Sequence, residues 1–374
     1  MIADVQRTSA YARALESRII PGAVVLDIGT GPGIMAFLAC RAGAARVYAV
    51  EPDDVIEVAR EAAAINGFAD RIQFIQAVSN DIDLPEKVDG IVSDIRGNLP
   101  MFGTSVVSLL DARDRFLKPE GWLVAARDTV WAAVVSAPVL HSRFIMNWQT
   151  EYGFDFSAAE AKVPNHFRRA LFEAEDLLVE PQRWTVLDYR CLRGPNASGE
   201  VNWTVRHNSV AHGMGVWFDT ETAPGVGFSN SPTATDAHLY RQAFFPWPKA
   251  IELSPGDHVR VGFRADFVQT DYIWTWRTHI TDLDSGRLKD SFQQSTFYAQ
   301  SISQNRRRKR EQTFVPQLNE RALGDRRVLE LMAQKLTVGQ IARQVRSEFP
   351  SLFKDWNAAL SRVGDLSEQY CKSS

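Results

Sequence analysis

The sequence has little cysteine, little excess charge of either sign and no long apolar run, and each shortage excludes a class of protein. Its three cysteines, Cys40, Cys191 and Cys371, are too few and too widely spaced for a disulfide framework or a metal knuckle. The 42 Lys and Arg residues nearly balance 45 Asp and Glu residues, for a net charge of −3, which excludes a polybasic nucleic-acid coat and an acidic disordered chain.

Membrane and secretory proteins are excluded in the same way. No apolar run reaches about 18 residues, as an ordinary transmembrane helix requires. The first residues, MIADVQRTSAYARALESRI, carry charges where a secretory signal needs an apolar stretch. We therefore expect a cytoplasmic protein with no membrane association and no metal site.

The chain's 374 residues, 45% of them apolar, are enough for two or three domains with substantial cores. Residues 1–140 alternate strand-sized apolar runs with helical segments, which predicts a Rossmann-like parallel sheet with helices on both faces. The predicted strands in this region are VVLDI (24–28), RVYAV (46–50), IQFIQA (72–77), VDGIVSDI (88–95) and WLVAAR (122–127).

The residue pattern changes beyond this region. Residues 141–300 are predicted as a second domain, because from about 183 they contain aromatic and β-branched segments separated by Gly, Pro and Asn, which is typical of an antiparallel β-barrel or sandwich. Residues 301–374 begin with the basic run 306–310 and continue with helical patterning. They contain 14 Lys and Arg against 8 Asp and Glu, or +6, which leaves −9 for the rest of the chain and indicates a separate module.

The strongest local motif is the segment DIGTGPG (27–33), which follows a predicted strand and precedes a predicted helix. Alternate glycines allow the backbone to bend tightly and approach a ligand, and the start of a helix favours an electron-rich group. The spacing is GxGxG rather than the GxGxxG of dinucleotide enzymes. Glu51 ends the next strand, where a carboxylate can accept both hydroxyl hydrogens of a ribose. Together these features predict a nucleoside site.

These residues resemble the core of class I S-adenosylmethionine-dependent methyltransferases, and more narrowly the protein arginine methyltransferase family. The opening segment MIADVQRT…Y (1–11), the segment ARDRFLKPEGWLV (112–124) and the segment YGFDFS (152–157) also resemble that family. The similarity extends over about residues 1–300. It implies S-adenosyl-L-methionine as cofactor, with contacts from Arg7, Asp27, Gly29, Gly31, Gly33, Glu51, Val78 and Ser79.

The acceptor loop departs from the family. The resemblance implies a loop with two glutamates that bracket a guanidinium, a cation for which paired carboxylates are well suited. Here the first position is Asp94 and the second is Gly103, while Arg96 adds a positive charge unless it points to solvent. We therefore expect a methyltransferase that acts on an oxygen or nitrogen of a small metabolite or modified peptide, with Asp94 as the base. The alternatives are a protein arginine methyltransferase with a rebuilt pocket, and a catalytically silent binding protein on this scaffold.

Three further expectations follow from the resemblance. His238 is placed where the family pairs a histidine with an acid of the first helix, here Asp4; the pair could relay protons or, as we favour, tie the helix to the barrel. Residues 158–182 are expected to form a dimerisation arm, and the chain to be a homodimer. The family also has a helix before the position of Met1, so either the cofactor is less enclosed here or the natural start lies upstream.

The C-terminal module is predicted to contain two amphipathic helices around a break at residues 335–337, with Thr337 as N-cap. This outline resembles a helix-turn-helix unit. Only Arg343 and Arg346 lie on the second helix, so we favour peptide binding or dimer packing over nucleic-acid binding.

Overall fold

The computed structural model describes residues 2–145, 152–234, 240–282 and 285–371. The chain forms two compact units, Met1–Gln300 and Ser301–Ser374. Within the described residues, no helix is long and apolar enough to cross a membrane. In the same ranges, no three His, Cys, Asp or Glu side chains are grouped so that they could hold a metal ion.

The first unit begins with a five-stranded parallel sheet flanked by helices, as the alternating pattern predicts. The strand order is β3-β2-β1-β4-β5, so β1 lies at the centre with β2 on one side and β4 on the other. The elements are α1 (Val5–Arg18), β1 (Val24–Ile28), α2 (Ile34–Arg41), β2 (Arg46–Val50), α3 (Val55–Ile65), β3 (Ile72–Ile75), β4 (Val88–Ser93), α4 (Ser105–Phe116) and β5 (Leu117–Val124).

Two antiparallel sheets complete the first unit. One has the order β7-β12-β10-β6-β8 with β11 paired to β10, and the other has the order β15-β14-β13-β9. The elements are β6 (Arg127–Val135), α5 (Pro138–Phe144), β7 (Arg168–Ala170), β8 (Gln182–Asp188), β9 (Ala197–Thr204), β10 (Ser209–Ala223), β11 (Val226–Ser229), β12 (Gln242–Leu253), β13 (Asp257–Val268), β14 (Asp271–Asp282) and β15 (Leu288–Ser295).

The two antiparallel sheets share an aromatic core. Trp184 of β8 packs on Phe263 of β13, and Phe245 of β12 packs on Trp274 and Trp276 of β14, with ring centroids 5.0 to 5.5 Å apart. Such aromatic pairs stabilise a core beyond the apolar area that they bury. The predicted change of residue pattern thus corresponds to a real change from parallel to antiparallel sheet.

The structure differs from the sequence prediction at the junction of these sheets. Strand β6 lies inside the segment predicted as the first domain, residues 1–140, but it pairs with β10 and β8 of the antiparallel sheet. Its burial alternates only over its first six residues and is continuous over the last four, so the alternation that marks a half-buried antiparallel strand is incomplete. Its apolar run could not be distinguished from a parallel strand by pattern alone.

The predicted arm, residues 158–182, lies along the antiparallel sheet. Strand β7 pairs with β12, and the Phe172 side chain is buried against Phe244 with ring centroids 5.8 Å apart. Leu171 is exposed. The dimerisation role of this segment stays a prediction.

The second unit is a small helical bundle with its own core. It contains α6 (Gln304–Arg308), α7 (Glu320–Met332), α8 (Val338–Glu348) and α9 (Trp356–Tyr370). The predicted N-cap is confirmed, because the Thr337 hydroxyl accepts the N–H of Gln340 in a reciprocal capping box. The core of the bundle joins Val328 and Leu331 of α7 to Ile341 and Val345 of α8 and Val363 of α9.

Candidate active site

The glycine turn closes the carboxyl end of β1 against the neighbouring strand β2. Gly29 and Gly31 have φ angles of +71° and +51°, which L side chains rarely adopt. A Cβ at Gly29 would come within 2.1 Å of the Ile95 side chain, whereas a Cβ at Gly31 would meet nothing within 4 Å. Gly29 is therefore required for close packing, whereas Gly31 leaves open space in the turn before α2.

Glu51 is fixed against this turn at the end of β2. Its Oε2 accepts the N–H of Gly31 at 3.0 Å, and its Oε1 accepts the N–H of Asp53 at 3.2 Å. The residue is buried at 9% exposure. Since each carboxylate oxygen can accept a further hydrogen bond, Glu51 remains able to receive two hydroxyl groups in the space beside Gly31.

Asp27 is the most enclosed acid of the turn. Its carboxylate accepts the Thr30 hydroxyl at 2.6 Å and the N–H of Ala36. Burial raises the pKa of Asp27 to about 7, and the neighbouring charges of Glu51 and Asp94 act in the same direction. A cationic ligand beside Asp27 would therefore bind together with the loss of a proton.

Val78 and Ser79 follow β3 on the same edge of the sheet. Ser79 is buried, and its carbonyl oxygen accepts the Arg115 Nη2 group at 2.8 Å, which fixes the turn. The Val78 side chain is 44% exposed. An exposed apolar side chain on a fixed turn is suited to contact the flat face of a base.

The predicted acceptor side of the site contains Asp94, which lies directly after β4. The Arg7 Nε group of α1 donates to its Oδ2, and the Tyr240 hydroxyl donates to its Oδ1 at 2.8 Å. The Arg96 Nε lies 3.5 Å from the same Oδ1. Both Asp94 oxygens therefore have cationic neighbours.

Arg96 does not point to solvent. Its side chain is 6% exposed, its Nη1 lies 3.0 Å from Asp128 Oδ1, and the same nitrogen donates to the Thr220 hydroxyl. Its guanidinium also lies over the Phe218 and Phe228 rings, 5.6 and 5.9 Å from their centroids. The charge that could have repelled a cationic acceptor is thus paired inside the protein.

Asp128 is the counter-ion that makes this arrangement stable. It is fully buried in β6 and also accepts the hydroxyl groups of Thr220, at 2.6 Å, and of Tyr189. Burial acts to lower the pKa of Arg96, but the charges around it, chiefly Asp128, outweigh this and raise it well above the usual value. Arg96 is therefore a permanent cation. The two arginines Arg7 and Arg96 are balanced by the two carboxylates of Asp94 and Asp128.

Asp4 caps the first helix. Its Oδ1 accepts the N–H of Arg7 at 3.1 Å, which is the usual role of an aspartate at an N-cap. His238 lies outside the described residues, so the predicted pairing of Asp4 with His238 stays a prediction.

The site also contains residues that the sequence did not indicate, namely Asp128, Tyr189, Thr220 and Tyr240. They come from β6, β10 and the segments that follow β8 and precede β12, which are far from Asp94 along the chain. Nothing local marks them. The only sequence signal was Arg96 itself, since a charged residue after a buried strand needs a partner.

Comparison with known proteins matches the chain in two parts, which correspond to the parallel-sheet region and to the antiparallel sheets. Residues 6–126 match the family model described as ribosomal protein L11 methyltransferase, and residues 126–279 match the arginine methyltransferase oligomerization subdomain. The chain is 32% identical over 253 residues to protein arginine N-methyltransferase 6 of Xenopus laevis, covering 64% of this chain and 74% of the relative. It is 30% identical over 271 residues to protein arginine N-methyltransferase 1 of Schizosaccharomyces pombe, covering 70% and 78%.

The chain belongs to the protein arginine N-methyltransferase family. The chain is also 32% identical over 231 residues to a probable protein arginine N-methyltransferase 6 of Arabidopsis thaliana. This match covers 59% of this chain and 53%, or about half, of that relative's length. Protein arginine methyltransferase 10 of Arabidopsis thaliana has the same fold, with a TM-score of 0.69 at 22% identity over 79% of this chain and 95% of that chain. As a member of the protein arginine N-methyltransferase family, the chain is an S-adenosylmethionine-dependent methyltransferase.

Replacing Glu51 by Gln is expected to weaken cofactor binding about 10- to 100-fold, because hydrogen bonds to a charged acceptor contribute about 1.5–3 kcal/mol. Isothermal titration with S-adenosylhomocysteine measures the effect. Glu57→Gln is the matched control, since Glu57 is an exposed acid of α3 that pairs with Arg60. Equal affinities for the Glu51 variant and the control would contradict the ribose role.

The raised pKa of Asp27 predicts pH-dependent cofactor binding. Below pH 7 the cationic cofactor must displace a proton from Asp27, so its dissociation constant is expected to rise by up to about tenfold per pH unit as the pH falls, and to level off above pH 7. Titrations between about pH 5.5 and about pH 7.5 measure this slope, while the cofactor's own amine stays largely protonated. Asp27→Asn keeps the size of the side chain and one acceptor oxygen. Because it removes the titrating group, it should remove the slope; a slope retained in this variant would assign it to another group.

Proposed function

We propose that the chain is a protein arginine N-methyltransferase, which transfers a methyl group from S-adenosylmethionine to a guanidinium nitrogen of an arginine in a protein or peptide. The similarity to relatives named protein arginine N-methyltransferases, over 253 and 271 residues, carries this proposal. This function is one of the alternatives named in the sequence analysis, where a small metabolite or modified peptide was the favoured acceptor. The small-metabolite acceptor that we first favoured is unconfirmed.

The geometry weakens one of the two grounds for that first expectation. It rested on the absence of a second carboxylate from the loop, which remains, and on Arg96 repelling a cationic acceptor. Because Asp128 and Asp94 lie beside Arg96, its charge is compensated before any acceptor arrives. A guanidinium entering beside Asp94 would therefore not meet an unpaired like charge.

The residues around the glycine turn fit the cofactor. The open space at Gly31 lies next to the fixed Glu51 carboxylate, and Asp27 provides a buried acid in the same turn. We propose that Glu51 binds the ribose, that Asp27, Gly29, Gly31 and Gly33 contact the methionine and ribose portion, and that Val78 and Ser79 border the adenine. When bound, S-adenosylmethionine supplies an electrophilic methyl group on its sulfonium.

Asp94 is proposed as the residue that orients the acceptor and takes up its proton. Methyl transfer depends mainly on alignment, and a base is needed only because the guanidinium nitrogen must lose a proton. Arg7 Nε now occupies Asp94 Oδ2. We propose that the Arg7 guanidinium moves toward the cofactor carboxylate when the cofactor binds, which would free this oxygen for the acceptor.

A pair of peptides tests the proposal. We expect mass spectrometry to show methylation of an arginine-containing peptide by the enzyme and S-adenosylmethionine, and none of the same peptide with Lys in place of Arg. A lysate separated into protein and small molecules, incubated with methyl-labelled cofactor, is the complementary assay. Label found only among small molecules would overturn the arginine acceptor and restore the metabolite reading.

Two wider expectations are part of the proposal. We propose that the chain acts as a homodimer, because residues 126–279 match an oligomerization subdomain. A cytoplasmic location, expected because the sequence shows no transmembrane run, secretory signal or disulfide framework, stays a prediction. So does peptide binding or dimer packing by the C-terminal bundle.

A further inference from the structure

This inference rests on the proposed function and concerns the missing second carboxylate. The charges beside Asp94 already cancel, since Arg7 and Arg96 are opposed by Asp94 and Asp128. An acceptor guanidinium would add one positive charge beside side chains that are themselves only 2 to 6% exposed. Such a charge requires another carboxylate nearby.

The position where the loop lacks that carboxylate is next to an acid of the antiparallel sheet. Gly103 has a φ of +49°, and a Cβ built on it would meet nothing within 4 Å, so the space for a side chain is open. The Gly103 N–H donates to Asp271 Oδ1 at 3.1 Å. The hairpin between β13 and β14 therefore brings a carboxylate to the place where the loop has none.

Asp271 is held through one oxygen only. Its Oδ1 accepts the N–H groups of Gly103 and, at 2.8 Å, of Tyr272. Its Oδ2 has no partner among the described residues, and the residue is exposed. One oxygen fixes the carboxylate to the loop, and the other remains able to accept a hydrogen bond from a ligand.

We propose that Asp271 supplies the second carboxylate of the acceptor site and binds the guanidinium of the substrate arginine together with Asp94. A carboxylate that accepts hydrogen bonds from a guanidinium gives both charge and planar geometry. The acid is thus provided by the β13–β14 hairpin instead of the loop after β4.

Asp271→Asn separates this role from a merely structural one. Asparagine keeps the Oδ1 acceptor for the Gly103 and Tyr272 N–H groups, while it removes the charge and replaces the Oδ2 acceptor with an NH2 donor. Asp266→Asn is the matched control, because Asp266 lies on the same hairpin and pairs with Arg264 at 2.9 Å. Fluorescence anisotropy would measure binding of a labelled arginine peptide and of its uncharged citrulline counterpart, with S-adenosylhomocysteine present.

We expect Asp271→Asn to weaken binding of the arginine peptide about tenfold or more and to leave the affinity for the citrulline peptide unchanged. In the methylation assay it should raise KM more than it lowers kcat. The Asp266 control should bind both peptides as the native enzyme does. Equal loss for the two peptides, or no loss for either, would overturn the proposal. The proposed function has a different test. It is contradicted if the native enzyme forms no methylarginine, whatever the Asp271 variant does to peptide binding.

Discussion

Asp128→Asn is expected to destabilise the first unit by about 3–5 kcal/mol, because it leaves the Arg96 guanidinium enclosed without its counter-ion. Asparagine can still accept the Thr220 hydroxyl through its one oxygen, so the loss reflects mainly the charge together with the hydrogen bond from the Tyr189 hydroxyl. Asp94 lies 3.5 Å from Arg96 Nε and is already shared with Arg7, so it cannot compensate fully. The midpoint of urea unfolding, followed by tryptophan fluorescence, measures the change.

The double variant Arg96→Met/Asp128→Asn is the control for this prediction. Removing both charges together should recover most of the lost stability, since apolar replacement of a buried ion pair is often neutral. The cycle of single and double variants then measures their coupling. An Asp128→Asn variant within about 1 kcal/mol of the native free energy of unfolding would show that Arg96 reaches water, contrary to its enclosed position.

Asp94→Asn is expected to lower kcat about 10²- to 10⁴-fold, which is the range for loss of a general base. Cofactor affinity should be unchanged or tighter, because Arg7 no longer has the Asp94 carboxylate as a competing partner. Single-turnover rates and titration with S-adenosylhomocysteine measure the two quantities independently. A loss of activity with tight cofactor binding would place Asp94 in the acceptor half of the site.

Asp94→Glu is the matched variant, since it keeps the carboxylate and restores the residue that the family resemblance implies. We expect it to retain activity within about tenfold of the native enzyme, a shortfall of less than about 1.4 kcal/mol. If Asp94→Asn and Asp94→Glu were equally impaired, packing rather than charge would be the requirement at this position.

The arrangement of the proposed cofactor half of the site could be predicted from the sequence because its elements are local. The GxGxG turn and Glu51 lie at the ends of neighbouring parallel strands, and the ends of such strands meet at one edge of the sheet. The predicted strands at 24–28 and 46–50 coincide with β1 and β2. Each element is short and continuous, so chain order largely determines its position.

The acceptor half could not be predicted in this way because its partners are distant in the chain. Arg96 pairs with Asp128 and Thr220, which are 32 and 124 residues away. Asp271 reaches Gly103 from 168 residues away. The charges can be identified in the sequence but their pairing cannot, so the loop alone does not determine the effect of Arg96 on the acceptor.

In the second unit, the helices could be predicted from the amphipathic pattern alone, but a function could not. The apolar spacing predicted both helices around Thr337, and five of the eight indicated positions are fully enclosed. Leu329 and Val338 are more exposed, at 37% and 38%. The pattern located the core of the bundle, but it contains no arrangement of charge or hydrogen-bond groups that identifies a ligand.

Amino-acid analysis of a methylated acceptor protein tests the central claim most directly. After incubation with the enzyme and methyl-labelled S-adenosylmethionine, acid hydrolysis should release the label as methylated arginine. Label that is lost as methanol on mild alkaline treatment, as from a carboxyl ester, or that elutes with another methylated amino acid, would show that the pocket beside Asp94 receives a different acceptor.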